Sequence, residues 1–146
     1  MKLEYTEGKA SEQEIYFHLM KCNENFIPHL GKRVNIKEYS AKIFEKAVAF
    51  EAWSGDTLVG LVAAYFTDPK GQTGYITSVS TIRAYMRKGI VSNLMKMSID
   101  YARQHGFKTV FLEVDKANDN AIDLYKKFGF QECEDKHTSI LMKFDA

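Results

Sequence analysis

The chain has 146 residues, of which 45% are hydrophobic and 27% charged, values close to those of an ordinary globular domain, so disordered and fibrous architectures are excluded. Lys and Arg total 20 against 19 Asp and Glu, and a formal charge of +1 argues against a general affinity for nucleic acid or a membrane surface. The start lacks an apolar core of signal-peptide length and no run approaches the ~20 apolar residues of a membrane span, so one cytoplasmic domain covering residues 1–146 is expected. Cys22 and Cys133 form no CxxC pair, and His18, His29, His105 and His137 show no ligand spacing; reduced thiols and no metal are expected.

In chain order, residues 3–5 read as a short first strand. Ser11 with Glu14 is a capping-box pair for a helix through about Asn23, with Ile15, Leu19 and Cys22 on its apolar face. Residues 25–31, including Pro28, break it, and Asn35 caps a second helix on which Ile36, Tyr39, Ile43 and Ala47 recur at helical spacing. Residues 47–53 and 57–66 are rich in β-branched, aromatic and small apolar side chains, and Ser54-Gly55-Asp56 between them forms a hairpin turn. Asp68-Pro69-Lys70-Gly71 is a second turn, leading into a strand over 74–82.

Ile90, Leu94, Met97 and Tyr101 then mark a long helix with Gly106 as its stop. A strand at 109–114, a helix at 120–128 ending at Gly129, and strands at 130–133 and 138–144 complete the chain. The order β-αα-βββ-α-β-α-ββ predicts an α/β (α+β) domain with a mixed, mostly antiparallel central sheet flanked by helices.

Between the third predicted strand of the meander and the long helix lies Met86-Arg87-Lys88-Gly89-Ile90-Val91. A strand that enters a basic, glycine-containing turn and then a helix presents free backbone N–H groups and the positive end of the helix dipole at one point, which suits an anion. Gly89 lets a ligand approach the backbone, Ile90, Val91 and Ser92 open the helix, and Arg87 and Lys88 add positive charge. GxxxxGK[ST] and GxGxxG are both absent, so neither the nucleoside-triphosphate loop nor the dinucleotide fingerprint accounts for the site.

This loop resembles the Gln/Arg-x-x-Gly-x-Gly/Ala pyrophosphate loop of the GNAT superfamily of acetyl-coenzyme A-dependent N-acetyltransferases, with Met86 and Val91 departing from its first and last positions. A second and more specific segment, residues 112–130, is similar to the family's L-E-V-x(3)-N-x-x-A-x-x-L-Y-x-K-x-G-F signature, here carrying Asn118, Ala121, Leu124, Tyr125, Gly129 and Phe130. The resemblance covers about residues 47–130, and the first 46 residues share only the two helices after an initial strand.

The resemblance implies acetyl-coenzyme A as co-substrate and direct acetyl transfer to a primary amine in a ternary complex. Tyr125 would stand near the coenzyme sulfur as general acid, a phenol of pKa ~10 facing a thiol of ~8.5; a core tyrosine is the alternative. Asn118 would contact the pantetheine arm, cap the following helix, or both. Val79, Ser80 and Thr81 would pair with the pantetheine amides through their backbone, and one N–H there would polarise the thioester carbonyl.

Histone-type members carry a glutamate base on this strand; counting back from Gly89 places Tyr75 there instead. Another group or a water chain would take the amine proton, or an acceptor of low pKa would arrive already neutral; Glu51, Asp68, Glu113 and His29 are the candidate side chains. Tyr16-Phe17 and residues 26–30 could line an acceptor groove or belong to the core. No covalent acyl-enzyme is expected, since neither cysteine lies in these segments. The expected acceptor is a small molecule such as an amino sugar, polyamine or amino acid, with no nucleic-acid or membrane partner and a homodimer left open. A coenzyme-binding regulatory domain without catalysis, longer acyl groups, and a protein amine are the rival readings.

Overall fold

The computed structural model describes residues 2–146. The elements are β1 (Glu4–Glu7), α1 (Glu12–Cys22), α2 (Leu30–Arg33), α3 (Ile36–Lys46), β2 (Val48–Ser54), β3 (Thr57–Asp68), β4 (Thr73–Thr81), α4 (Ile90–Gln104), β5 (Thr109–Asp115), α5 (Asp119–Phe128), β6 (Gln131–Asp135) and β7 (Ser139–Asp145). The order is the one read from the sequence, with short additions: 3-10 turns at Asn23–Asn25 and Arg83–Tyr85, and the single-turn helix α2 within the stretch expected only to interrupt two helices.

Local chemistry sets the helix boundaries. Ser11 accepts from the Glu14 N–H while Glu14 accepts from the Ser11 N–H, closing the predicted capping box at the start of α1. Asn35 accepts from the Glu38 N–H and caps α3.

The strands form one seven-stranded sheet in the order β1-β2-β3-β4-β5-β7-β6. All neighbouring pairs are antiparallel except β4 with β5. A core on one face packs α4 against the sheet through Ile90, Leu94, Met95 and Ile99. The other packs α1 and α3 through Ile15, Leu19 and Ile43 against Trp53, Leu61 and Ala63. Gly60 on β3 allows α4 to sit close, since a Cβ there would lie 2.6 Å from Ile90 Cγ2.

The parallel pair is short. β4 and β5 run together only from Thr73↔Thr109 to Ile76↔Leu112. Beyond it β4 stays with β3 as far as Gly60↔Thr81, whereas β5 stays with β7 as far as Asp115↔Ser139. The β3–β4 register shifts between Ala63 and Ala64, at the point where Thr77 begins the departure, and such an irregularity bends the strand that carries it. The sheet therefore opens into a gap between residues 77–81 and 113–115.

The edge strand is fastened by Glu51, which is fully buried on β2. Its carboxylate accepts from Thr6 Oγ1 at 2.6 Å and from the N–H groups of Lys9 and Ala10, each at 2.8 Å. Trp53 Nε1 in turn donates to Thr6 Oγ1 at 2.7 Å. Each buried group left without a partner costs about 1–3 kcal/mol. Glu51→Ala is expected to destabilise the fold by about 3 kcal/mol or more in urea denaturation, and a loss near the ~0.5 kcal/mol of an ordinary surface change would contradict this assignment.

Candidate active site

The gap holds a cavity of about 500 Å³ that is bounded by the end of β4, the start of α4 and one face of α5. Its α4 end is built from backbone. Gly89 has φ +78° and provides no side-chain cap. The first intrahelical bond runs from the Asn93 N–H to the Gly89 carbonyl, so the N–H groups of Ile90, Val91 and Ser92 have no partner within the helix. Arg87, just before it, adopts φ +62°, a conformation uncommon outside glycine. Arg87, Gly89, Ile90, Val91 and Ser92 all line the cavity. Lys88 is exposed and does not line it.

The wall opposite α5 is the free edge of β4. Ile82 N–H donates to Val59 O, and the alternation of an antiparallel ladder makes Ser80 the next residue bonded to β3. The amides and carbonyls of Val79 and Thr81 therefore point away from β3 toward the opening. Asn25 Nδ2 reaches the Thr81 carbonyl at 3.4 Å, while Asn25 Oδ1 accepts from Arg83. Among the described residues no side chain is bonded to the Val79 backbone.

The Ser80 hydroxyl is anchored from below. His18, buried on α1, has Nδ1 2.8 Å from the Leu58 carbonyl and Nε2 2.9 Å from Ser80 Oγ. A carbonyl can only accept, so Nδ1 carries the hydrogen and Nε2 accepts from the Ser80 hydroxyl. Burial, partly opposed by the bond to Leu58, brings the His18 pKa down to about 4. Cys22 lies 3.7 Å from His18 Nε2, and burial pushes its thiol up to about 11, which leaves it a protonated core residue.

At the far end stand Asn118 and Tyr125. Asn118 Oδ1 caps α5 by accepting from the Ala121 N–H at 3.3 Å, and the residue also lines the cavity. Tyr125 is 7% exposed, and burial drives its phenol up to about 12, so it remains protonated at neutral pH. Of the coenzyme-site positions and the tyrosine selected from sequence, all but Lys88 are thus gathered around one opening. Asn25, Tyr85 and Asn120 line it as well without having been singled out; only Asn120 belonged to a recognisable motif, and nothing local marks Asn25, which arrives through the turn after α1.

Through the gap the cavity meets a narrower one of about 110 Å³, with Phe26, Val79, Asn118 and Tyr125 common to both. This leads to a third, of about 260 Å³, bounded by Ile27, Pro28, Arg33, Tyr75 and Glu113. The passage connects the α4 face of the sheet with the other side. Tyr16 and Phe17 line a separate depression between α1 and α3 that shares no residue with it.

The four alternative bases separate clearly. Glu51 is committed to its three donors at β1. Asp68 accepts from the Gly71 N–H in its turn, and His29 is exposed at the start of α2. Only Glu113 reaches the passage, where it contacts Lys136 at 3.5 Å and accepts from Ser139 Oγ at 3.0 Å. Burial, reinforced by Glu113, raises the pKa of Tyr75 at the outer mouth.

The sequence model of the acetyltransferase (GNAT) family matches residues 12–130. The chain belongs to that family. It is 33% identical over 87 residues to the uncharacterized N-acetyltransferase YsnE of Bacillus subtilis, covering 58% of this chain and 56% of that protein. It is 30% identical over 104 residues to N-alpha-acetyltransferase 50 of Danio rerio, covering 70% and 62% respectively. The chain thus spans about half the length of most of the relatives it matches. Among solved structures it superposes on the PaiA N-acetyltransferase of Thermoplasma acidophilum in complex with coenzyme A, with TM-score 0.81, 15% identity and all of both chains covered. The ribosomal-protein-S18-alanine N-acetyltransferase of Escherichia coli gives TM-score 0.74 and 17% identity, covering 97% of this chain and 94% of that one. These likenesses establish the fold.

His18 makes this sheet sensitive to acid. Its folded pKa of about 4 lies below the ordinary 6.5, so the contribution of the neutral imidazole is complete above pH 6.5 and is lost as pH falls toward 4. The shift corresponds to about 3 kcal/mol. Wild-type stability is expected to fall already between pH 6.5 and 5, and His18→Gln to flatten that portion of the profile, as measured by denaturant titration at each pH.

Proposed function

We propose that this chain transfers an acetyl group from acetyl-coenzyme A to a primary amine by direct attack. The observation that carries the reading is the convergence on one cavity of an uncapped helix start, an unpaired strand edge and a protonated tyrosine. The diphosphate would lie against the N–H groups of Ile90, Val91 and Ser92, where fixed dipoles favour negative charge. The pantetheine arm would pair with the Val79 edge of β4 as an added strand.

The acceptor would arrive through the gap from the Arg33 and Tyr75 side. Its nitrogen attacks the thioester carbonyl, whose developing oxyanion takes a hydrogen bond from the Val79 N–H. The C–S bond then breaks, leaving an amide and the coenzyme thiol, and the proton lost by the amine balances the one gained by sulfur. A phenol of pKa about 12 would transfer its proton to a thiolate of ~8.5 uphill by about 5 kcal/mol. Tyr125 therefore donates a hydrogen bond to the departing sulfur, which leaves as a thiolate and then takes a proton from water as the amine's proton is released to water. Glu113, held by Lys136 and Ser139, lines the passage, and water relayed past it would take the amine proton.

A small-molecule amine is the preferred acceptor. A protein α-amine is the second reading, favoured by the likeness to N-alpha-acetyltransferase 50.

Acetyl-coenzyme A at a hundredfold excess over its dissociation constant should add about 2.7 kcal/mol and raise the melting temperature by roughly 5–10 °C. Gly89→Val should keep the fold, at a cost of about 1–2 kcal/mol for a side chain at positive φ, and bind acetyl-coenzyme A at least about tenfold more weakly. Absence of both the thermal shift and any calorimetric binding in the wild type would overturn the reading.

Tyr125→Phe should retain coenzyme affinity while turnover falls by roughly tenfold to a hundredfold, the loss expected for one hydrogen bond to a charged group, measured by thiol release where chemistry limits the rate. Wild-type turnover in that variant would remove the hydroxyl from the mechanism.

A further inference from the structure

Resting on that reading of the site, we infer that the acceptor is a small amine carrying its own anionic group, a carboxylate or phosphate, which Arg33 binds at the outer mouth of the gap. Arg33, Glu113 and Asp115 are the charged residues that line both the passage and its outer cavity. The two carboxylates are already engaged: Glu113 by Lys136 and Ser139, Asp115 by the Ala117 N–H at 2.8 Å. Arg33 has no carboxylate within 4.0 Å among the described residues, and its guanidinium lies 5.9 Å from the centre of the Phe26 ring. Asp115 keeps its charge against a neutral N–H, and Arg33 is the one cation lining both cavities, with no carboxylate partner among the described residues.

The position of that charge is set by the fold. Arg33 ends α2, the single turn that follows Ile27 and Pro28, and these two residues line the same outer cavity. Its field is felt across the opening: burial raises the phenols of both Tyr39 and Tyr75, and the Arg33 charge opposes that rise in each. A planar guanidinium offers a carboxylate or phosphate two parallel donors, which an ammonium does not.

Size and charge then separate the acceptor classes. The outer cavity of about 260 Å³ is roughly nine water volumes, the scale of a free amino acid or a phosphorylated amino alcohol. A polyamine would bring positive charge to Arg33. In a peptide α-amine the neighbouring carboxylate is replaced by a neutral amide.

The test compares matched acceptors with saturating acetyl-coenzyme A, reading thiol release in the wild type, Arg33→Gln and Arg33→Lys. The pairs are α-amino acids against their amides and phosphoethanolamine against ethanolamine, with putrescine and an alanyl peptide amide alongside. Calorimetry of each acceptor is run on the coenzyme A-loaded protein. An anionic amine should exceed its neutral counterpart in kcat/KM by about tenfold or more, as expected for a hydrogen bond to a charged group. Preference for the amino acids identifies a carboxylate, and preference for phosphoethanolamine a phosphate.

Arg33→Gln should abolish that ratio through KM, and Arg33→Lys should restore part of it, with acetyl-coenzyme A affinity and melting temperature retained in both. Equal or better use of a neutral, cationic or peptide amine overturns the inference, as does a ratio that survives Arg33→Gln. So does a protein that binds acetyl-coenzyme A but neither binds nor acetylates any anionic amine. Failure to bind acetyl-coenzyme A is a separate result, which removes the underlying reading as well.

Discussion

The site depends on the parting of β4 from β5. Four residue pairs hold the two strands together, after which each follows its other neighbour. A fully paired sheet would satisfy the Val79 amide and carbonyl internally and would close the route from one face to the other. By ending early, the pairing leaves backbone hydrogen-bonding groups where a ligand can use them, at the cost of desolvating groups that must then find another partner. The irregularity in the β3–β4 register bends β4 at the position where this separation begins, so a local defect in one ladder produces the opening beside the other.

An open sheet needs support elsewhere. Glu51 and His18 supply it from opposite sides of the β2–β3 hairpin, one drawing the turn after β1 onto β2 and the other joining α1 to β3 and β4. Both are fully paired, which is the condition under which a buried polar group adds definition rather than cost. His18 also fixes the hydroxyl of Ser80 between the two exposed backbone positions, Val79 and Thr81. The geometry of the free edge is therefore coupled to α1, although that helix lies on the other face of the sheet.

The electrostatic character of the opening comes more from backbone than from side chains. Three amides at the start of α4 and the edge of β4 are fixed by secondary structure and require little reorganisation when charge arrives. Lys88, the other cation of the basic turn, is exposed and does not line the cavity, and Arg87 is the one of the pair that does. Burial in turn raises the phenol of Tyr125 from its ordinary value to about 12.

The sequence by itself determined the elements and most of the residues that line the main cavity. Capping residues, turn residues and hydrophobic spacing are local signals, and Ser11, Asn35 and the hairpin at Gly55 formed as their chemistry required. The basic loop and residues 112–130 were legible for the same reason, since each is a continuous segment whose spacing is set by one turn and one helix. What only the tertiary structure decided involves residues distant in the chain. The sequence left Glu51, Asp68, Glu113 and His29 equivalent, because a carboxylate or imidazole carries no local mark of what it will face. Packing assigned Glu51 to the β1 clasp and Glu113 to the passage. It also brought Asn25 to the Thr81 carbonyl and separated Tyr16 and Phe17 from the opening. The length of the β4–β5 pairing was equally invisible, because where two parallel strands diverge depends on the partner each finds on its other side.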